Sequence, residues 1–377
     1  MAARAAFFPT LDAGAGALRE RIVSPFGKPE VQSAAQPQVQ AAYEVDLFGR
    51  IADTASAARS AYFASQAARD AVRLSIAGAV ASGYITLRAL DARLDVARQT
   101  LAARADSLRL ARSRVNNGYS PALELAQTEA EYQATAQIIP QIQLGIARQE
   151  DGLRLLLGTE PGDVPRGAAL AALRSPAVPD GLPSDLLRRR PDLAQAEYQL
   201  AAADASLSAA RKRFLPQVRL SGSAGAAFST LLADPITLWT VGGSVLAPIF
   251  QGGRLRAGAE SAAATRDQAA FAYRRTALGA FREVEDALAA VKRSDEQVQI
   301  VARQRDALAN GLRLATNRFR AGYSPFLEQL DAQRGLLSAE LALVQTQSDA
   351  LTARVTLYQA MGGGWSAAGV KETDAIK

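Results

Sequence analysis

The stretch "NNGYSPALE" occupies residues 116–124, and 204 residues later the chain reads "RAGYSPFLE" at residues 320–328. Each Gly-Tyr-Ser-Pro stands between two long segments rich in Ala, Leu and Arg. Gly118 and Gly322 suit the left-handed position just past the end of a helix. The next residues, Ser then Pro, are typical of an N-cap followed by the first position of a new helix. Each copy therefore predicts a helical hairpin with this tetrapeptide at its turn.

The same offset relates much more of the chain. Further identities at this offset are Gly49-Arg50 with Gly253-Arg254, Arg109-Leu110-Ala111 with Arg313-Leu314-Ala315, Arg114 with Arg318, Glu124 with Glu328, and Gly158 with Gly362. The alignment needs no gap from residue 50 to residue 158. Because so many matches share one offset, the sequence indicates a tandem duplication.

Alternation of apolar and polar residues predicts two strands in each copy. In the second copy Val218, Leu220 and Ala224 alternate with polar residues, as do Trp239 and Val241 after a short loop. The predicted strands are residues 8–18, 37–48, 215–226 and 237–249. Periodicity alone fits a half-buried soluble sheet equally well.

Long segments without proline follow each strand pair and predict helices over residues 52–115 and 256–319. Their apolar residues recur at every seventh position, which indicates a coiled-coil seam. The series are Val80, Leu87, Leu94, Leu101, Leu108 and Val115, then Val284, Val291, Val298, Leu312 and Phe319, interrupted by Arg305. Each segment makes about 95 Å of helix at about 1.5 Å per residue.

The remaining segments complete two repeats of the same design. Return helices are predicted at 122–157 and 326–361, and a helix at 190–213 opens the second copy. We assign residues 1–158 to repeat one, 159–187 to a linker or equatorial segment, 188–364 to repeat two and 365–377 to a tail. Repeat one has no counterpart of helix 190–213, so we expect its first helix to be missing.

Composition excludes several classes of function. The chain has 43 Lys and Arg against 37 Asp and Glu, and it has no Cys and no His. Disulfides, thiol catalysis, Cys/His metal sites and His-dependent triads are therefore excluded. The one dense basic run is residues 188–190, which does not predict nucleic-acid binding. Gly252-Gly253 lacks the Lys-Ser/Thr of a nucleotide loop, so we predict a non-enzyme without cofactor or metal.

Membrane signals are indirect. No apolar run reaches the length of about 18 residues that a helical span needs, and "MAARAAFFPT" lacks the apolar core of a secretory signal. Membrane strands leave hydropathy low, so these observations do not decide the location. Four strands cannot close a barrel, which takes about eight. Oligomerisation is therefore expected, and three copies would supply twelve strands.

The chain as a whole resembles the outer membrane efflux proteins, a TolC-like family, and most of all their NodT-type lipoproteins. The resemblance is carried by "RRPDLAQAEYQLAAADASLSAARKRFLPQVRL" at 189–220, "PIFQGGR" at 248–254 and "RFRAGYSPFLEQLDAQRGLL" at 318–337. It implies a mainly α fold with membrane β: a homotrimeric channel-tunnel, with a 12-stranded barrel on a long α-helical barrel. Such a channel exports drugs, toxic compounds or metal ions from a Gram-negative cell. Its expected partners are outer membrane lipids, a periplasmic adaptor and an inner-membrane RND or ABC transporter.

The resemblance also implies where the functional residues lie. The hairpin turns would form the periplasmic tip and the adaptor-docking surface. The turn residues are Asn117, Gly118, Tyr119, Ser120, Pro121, Gly322, Tyr323, Ser324 and Pro325. Arg318, Arg320 and Tyr323 are expected to hold the tip closed by pairing with acids of the neighbouring hairpin. An acidic ring at the aperture would use Glu328 and Asp331, with Glu124 and Gln127 at the matching positions of copy one. The alternative for a Glu at a helix start is simple compensation of the helix dipole.

Two features depart from the family and two functions compete. The N-terminal lipoprotein cysteine and the first helix are absent from this sequence, which we interpret as a truncated N-terminus. Type I protein secretion uses the same architecture and is the first alternative function. A soluble coiled-coil scaffold, with an ordinary sheet, is the second.

Overall fold

The computed structural model describes residues 2–23, 26–174 and 189–363. The chain divides into two compact units. The first consists of Met1–Ala68 with Asp192–Thr276, and the second of Arg69–Pro191 with Ala277–Lys377. Both sequence copies contribute to each unit, so the duplication does not produce one compact unit per repeat.

A four-stranded antiparallel sheet characterises the first unit. After a single helical turn, α1 (Ala2–Ala5), its strands are β1 (Thr10–Val23), β2 (Pro29–Val45), β3 (Gln217–Ser229) and β4 (Ile236–Leu246). The spatial order is β1-β2-β3-β4, so β2 of copy one pairs with β3 of copy two. Within the described chain β1 and β4 each keep one unpaired edge.

The sheet has two chemically different faces, because residues opposite each other in adjacent strands share a face. One face carries the rows Leu11–Ala41–Gly222–Val241 and Ala13–Val39–Ala224–Trp239. The other carries the row Asp12–Gln40–Ser223–Thr240 together with Gln32, Gln36, Gln38 and Ser221. We call these the apolar face and the polar face; a few apolar residues, Leu18 and Leu238 among them, share the polar one.

The strand bounds differ from the sequence prediction mainly at β1 and β2. The prediction placed them at 8–18 and 37–48, whereas they run to Val23 and from Pro29. Pairing across the hairpin extends both strands, with Val23 opposite Pro29. The added residues alternate poorly, since arginines and small residues interrupt the apolar series, so the pattern alone did not reveal them.

Two helices of equal length dominate the chain. They are α2 (Arg50–Asn116) and α6 (Arg254–Arg320), 67 residues each, against predicted spans of 52–115 and 256–319. The second copy also contains α5 (Pro191–Lys212) and α7 (Phe326–Ala360). No helix among the described residues has an apolar stretch that is long enough to cross a membrane.

The return helix of copy one differs from the single helix predicted at 122–157. It consists of α3 (Ala122–Ala136) and α4 (Ile138–Leu157), separated at Gln137. Pro140 explains the break. Its nitrogen has no hydrogen to donate to the carbonyl of Ala136, and its ring crowds that same carbonyl. The sequence reasoning overlooked this proline.

The seam residues of the long helices pack inside the second unit. Leu94 and Ala97 of α2 form a buried cluster with Ile142 of α4. In copy two, Val284 and Ala287 of α6 pack against Leu357 and Ala360 of α7. The heptad series therefore faces the return helices, as a coiled-coil seam requires.

The segment that follows α4 is fastened to the second unit. Leu170, in a 3-10 turn, is buried with Ile85, Ala89 and Val344. Arg166 bonds Asp91, with Nε 3.2 Å from Oδ2, and also pairs with Glu150. Residues 159–174 of the predicted 159–187 linker thus form an ordered segment that packs on the helices. Residues 175–188 lie outside the described part of the chain.

Candidate functional site

The two hairpin turns share one backbone design. Gly118 and Gly322 have φ of 74° and 78°, a left-handed conformation that favours glycine. The amides of Tyr119 and Tyr323 donate to the carbonyls of Arg114 and Arg318, at 2.8 and 2.9 Å. This 6→1 bond marks a Schellman motif, which closes the long helix with a glycine at C′.

The start of each return helix corrects the sequence prediction by one residue. Pro121 and Pro325 are the N-caps, with ψ of 150° and 156°, and neither helix has a side-chain cap. Their carbonyls accept the amides of Glu124 and Glu328. Proline therefore takes the cap position predicted for serine, because its extended ψ excludes it from the helix. The hydroxyl of Ser324 is buried without a hydrogen-bond partner.

The outermost side chains are the two tyrosines. Tyr119 is 83 % exposed and Tyr323 is 80 % exposed. Asn117, by contrast, is tied to its own helix, because its side-chain amide donates to the carbonyl of Ser113 at 2.6 Å. Arg320 is also exposed. The turns thus present aromatic and cationic groups to solvent on a fixed backbone.

Both predicted acids of copy two have cationic partners within their own hairpin. Arg318 at the end of α6 donates to Glu328 of α7 at 3.1 Å. Asp331 lies 3.5 Å from Arg334 one turn later, and its side chain stays 64 % exposed. Arg318, which was expected to contact an acid of a neighbouring hairpin, bonds Glu328 of its own hairpin in this chain. Glu124 and Gln127 of copy one have no side-chain ion pair or hydrogen bond among the contacts of the described residues.

A cation–π contact joins the two hairpins close to the turns. The guanidinium of Arg114 on α2 lies 5.2 Å from the ring centroid of Phe319 on α6. Phe319 also meets Phe326 of α7, with ring centroids 5.5 Å apart. Phe319 therefore connects the end of α2, through Arg114, with the start of α7, through Phe326.

An ionic group that was not predicted from the sequence joins the two hairpins; in it Arg104 and Glu131 are buried and Arg334 is half exposed. Glu131 of α3 accepts Arg104 of α2 at 2.7 Å and the Nε of Arg334 of α7 at 2.7 Å. Arg104 also donates to the backbone carbonyl of Glu131 at 2.6 Å, and its side chain is 5 % exposed. One carboxylate thus holds three helices from both hairpins. We call Arg104, Glu131 and Arg334 the inter-hairpin triad.

The charges of the triad are set by mutual contact. Burial lowers the pKa of Arg104, while the carboxylate of Glu131 opposes that change. The hydrogen bond to Glu131 raises the pKa of Arg334. Both guanidiniums remain cationic, as arginine does in proteins, so the triad carries a net charge of about +1 behind the acids of α7.

The signal for the triad was present in a second heptad series on α2. Gly83, Leu90, Ala97, Arg104 and Ala111 are spaced by seven, and Arg104 is the single charged member. At the offset of 204, copy two has Leu308 and Gly335 in place of Arg104 and Glu131. Those two residues pack directly, since a Cβ on Gly335 would lie 3.4 Å from Leu308. The Arg104–Glu131 ion pair therefore has no counterpart at the matching positions of copy two.

The charged groups of the turn region give the site an electrostatic character. Among residues 2–23, 26–174 and 189–363, no group of three or more acidic side chains could hold a metal ion. The turn region presents exposed carboxylates, exposed arginines and tyrosines on helix ends. These groups can line an opening, repel or attract ions, and contact another helical protein.

Comparison with known proteins places this geometry in a family. The sequence model of the family described as "Outer membrane efflux protein" matches residues 1–159 and 182–363. The solvent efflux pump outer membrane protein SrpC of Pseudomonas putida is 37 % identical over 371 residues, which cover 96 % of this chain and 79 % of SrpC.

Solved structures agree with the sequence comparison. A membrane protein from Pseudomonas aeruginosa matches with a TM-score of 0.89 and 32 % identity, covering 97 % of this chain and 84 % of that one. The open state of the MtrE outer membrane channel of Neisseria gonorrhoeae matches with a TM-score of 0.85 and 31 % identity, covering 96 % and 82 %. The predicted family resemblance and the TolC-like fold are therefore confirmed, and the chain belongs to the outer membrane efflux protein family.

Proposed function

We propose that this chain is the outer membrane channel of a tripartite efflux system. It would act as a passive duct for drugs, toxic compounds or metal ions. The observation that carries the proposal is the open four-stranded sheet with one apolar and one polar face. An exposed apolar face on a sheet with two open edges needs both lipid and further strands.

Closure of the sheet requires more than one copy of the chain. A barrel needs about eight strands, and four are available here. Joining β4 of one copy to β1 of the next would remove the open edges. Three copies give twelve strands, with the apolar face outward to lipid and the polar face inward to water. This is the homotrimer that we propose.

Dimensions of the apolar face fit a membrane. From the row of Val45 and Val218 to the row of Ala35 and Phe228 there are ten residue steps. At about 3.3 Å per residue and a tilt of about 40°, they span about 25 Å, the height of the apolar band of outer membrane barrels. Trp239 and Val241, two bulky apolar side chains in this span, are 75 % and 79 % exposed in the single chain.

Helices of neighbouring copies would complete a tube. Leu278, Leu288, Ile300 and Leu314 of α6 are exposed in the single chain. Such residues along one long helix are expected to be covered by another copy, because coiled-coil seams exclude water. Three copies would then form the long helical barrel that we propose for the periplasm.

The hairpin turns are proposed as the periplasmic aperture and as the docking surface for an adaptor. Glu328 and Asp331 of three copies would bring six carboxylates to the opening, and Glu124 would add three. Such a ring favours cations. The pairs Arg318–Glu328 and Arg334–Asp331 would partly neutralise such a ring in a closed aperture. An adaptor protein would contact the exposed turns, and an inner-membrane RND or ABC transporter would complete the pump.

Efflux is favoured over the two alternatives. Relatives with 34–37 % identity are named outer membrane proteins of solvent, toluene and antibiotic efflux pumps, which favours efflux over type I protein secretion. A soluble scaffold would leave the apolar face of the sheet unexplained. Recovery of the chain from the cytosol as a rod without trimers would contradict the channel.

Conductance across a planar lipid bilayer tests the proposal. Purified trimer should conduct, and Asp331→Asn with Glu328→Gln should lower the ratio of cation to anion permeability. Glu296→Gln is the matched control, because this exposed acid pairs with Arg293 in the middle of α6. Unchanged selectivity of the double variant would exclude the acidic ring, and wild-type protein without conductance would exclude the channel.

A further inference from the structure

The hairpin end of β1 carries charges that are sorted by face. Arg19 and Arg21 lie opposite Ser33 and Val31, in the same alternation as Leu11, Ala13 and Ala15, and so belong to the apolar face. Glu20 pairs with Gln32 and Glu30 pairs with Ile22, so both glutamates belong to the polar face. Two cations therefore share one face of the sheet while the neighbouring acids share the other.

These arginines lie just beyond the apolar span. The row of Ala17 and Ala35 closes that span, and Arg19 and Arg21 follow two and four residues later. At about 3.3 Å per residue, their Cα atoms are about 7 Å apart along the strand. Because the helices leave the opposite end of the strands, the proposed membrane position puts the arginines at the external surface.

Nothing in the described chain neutralises the two arginines. Both are exposed, and neither has an ion pair among the salt bridges of the described residues. Hydroxyl groups flank Arg19, since Ser33 is its partner across the strands and the Ser33 amide donates to the Thr230 hydroxyl at 3.1 Å. Phe228 and Val31, both about half exposed, lie on either side of this row.

We propose that Arg19 and Arg21 bind the phosphate groups of a phosphorylated glycolipid in the outer leaflet, the chemistry of lipopolysaccharide. Guanidinium groups bind phosphate through paired hydrogen bonds. The flanking hydroxyls add neutral donors, and Phe228 with the apolar rows below it would contact acyl chains. Basic groups next to an apolar surface are the pattern that recognises anionic lipid headgroups. The inference rests on the membrane position in the proposed function.

Segregation of the charges by face would not be expected without a lipid ligand. Arginines that only keep their charge in water have no reason to segregate from acids, because a nearby carboxylate would be equally compatible with exposure. Here the strand "LRERIV" puts both cations outward and its acid inward. In a trimer the external rim would carry six such cations, two from each chain.

Binding of lipopolysaccharide to the purified full-length trimer in detergent tests the inference. Arg19→Gln with Arg21→Gln should weaken binding at least tenfold, and dephosphorylated lipopolysaccharide should bind the wild type equally weakly. Arg219→Gln is the matched control, because Arg219 lies on the polar face opposite Glu44. This control should bind as the wild type does.

Two outcomes would overturn the inference: tight binding by the double variant, or equal binding of phosphorylated and dephosphorylated lipid. Loss of binding in Arg219→Gln to the same extent would indicate a general charge effect and would also overturn it. Conductance in a neutral phosphatidylcholine bilayer reports on the channel separately. A conducting double variant that binds no lipopolysaccharide supports both proposals, whereas a wild type without conductance contradicts the proposed function alone.

Discussion

Glu131 joins the two hairpins through a single carboxylate. It contacts Arg104 of its own hairpin and Arg334 of the other. Buried ion pairs need good geometry and full hydrogen bonding to offset desolvation. Here each carboxylate oxygen has a guanidinium partner, and Arg104 gains a backbone carbonyl as well. The triad therefore fixes how the hairpins meet near their turns.

Removal of this carboxylate should be costly. Glu131→Gln leaves Arg104 buried without a counterion, and such a loss costs about 3–5 kcal/mol. Thermal or urea unfolding of the helical circular-dichroism signal measures the change. Glu129→Gln is the control, because Glu129 sits on the same helix and pairs with Arg112 at 3.0 Å with both side chains about half exposed.

The control should change stability by less than about 1 kcal/mol, as exposed ion pairs do. Arg104→Leu combined with Glu131→Gly installs the residues of copy two and should recover part of the lost stability. Equal effects of Glu129→Gln and Glu131→Gln would show that the triad does not stabilise the fold.

Among the elements, the duplicated seams differ in their polar insertions. Copy one has Arg104 and Glu131 near the turn, whereas copy two has Arg305 and Glu340 further from it. At the offset of 204, the counterparts of Arg305 and Glu340 are Leu101 and Ala136. Arg305, which interrupts the second heptad series, forms its ion pair with Asp306 on the same helix and acts on Glu340 of the return helix through its charge.

The effect of Glu340 on the stability of the fold should depend on pH. Burial raises the pKa of Glu340, and the charge of Arg305 partly opposes that change. A carboxyl group with a raised folded pKa stabilises the fold fully below its unfolded pKa, and this contribution is lost as pH rises through the folded pKa. Glu340 therefore costs stability at neutral pH.

Glu340→Gln is expected to raise the unfolding temperature at pH 7.5. It should also reduce the increase in unfolding temperature that the wild type shows when the pH is lowered from 7.5 to 5. Glu296→Gln, an exposed acid on α6, should leave both nearly unchanged. Thermal melts across this pH range measure the effect. A lower unfolding temperature for Glu340→Gln at pH 7.5 would mean that the electrostatic attraction to Arg305 outweighs the cost of burial.

Sequence patterns predicted the helices and strands better than they predicted the contacts between them. Heptads and alternation indicated the long helices and the strands because those patterns depend on local geometry. Pro140 was a local signal that was overlooked, and it divides the return helix. The triad required three helices to meet. The lone charge of Arg104 in the second heptad series of α2, and Leu308 at its place in copy two, mark the position of the triad but do not identify Glu131 and Arg334 as its partners. The partners of Glu328 and Asp331 likewise became visible in the structure.

For the whole molecule, the two faces of the sheet decide between a membrane channel and a scaffold. Val241 and Thr240 are neighbours in β4 that point to opposite faces. Val241 shares its row with Gly222 and Ala41, close to the middle of the apolar span. The same substitution at these two positions therefore compares the proposed lipid-facing side of the sheet with its lumen-facing side at nearly the same depth in the membrane.

Val241→Arg is expected to block assembly, because an arginine facing lipid at the midplane costs about 2–4 kcal/mol per chain. Thr240→Arg should assemble normally and shift selectivity towards anions, since it adds a cation to the water-filled side. Outer membrane fractionation with trimer yield measures the first, and bilayer reversal potentials measure the second. Equal trimer yields from both variants would contradict the proposed orientation of the sheet, because a soluble sheet has no lipid-facing side to protect.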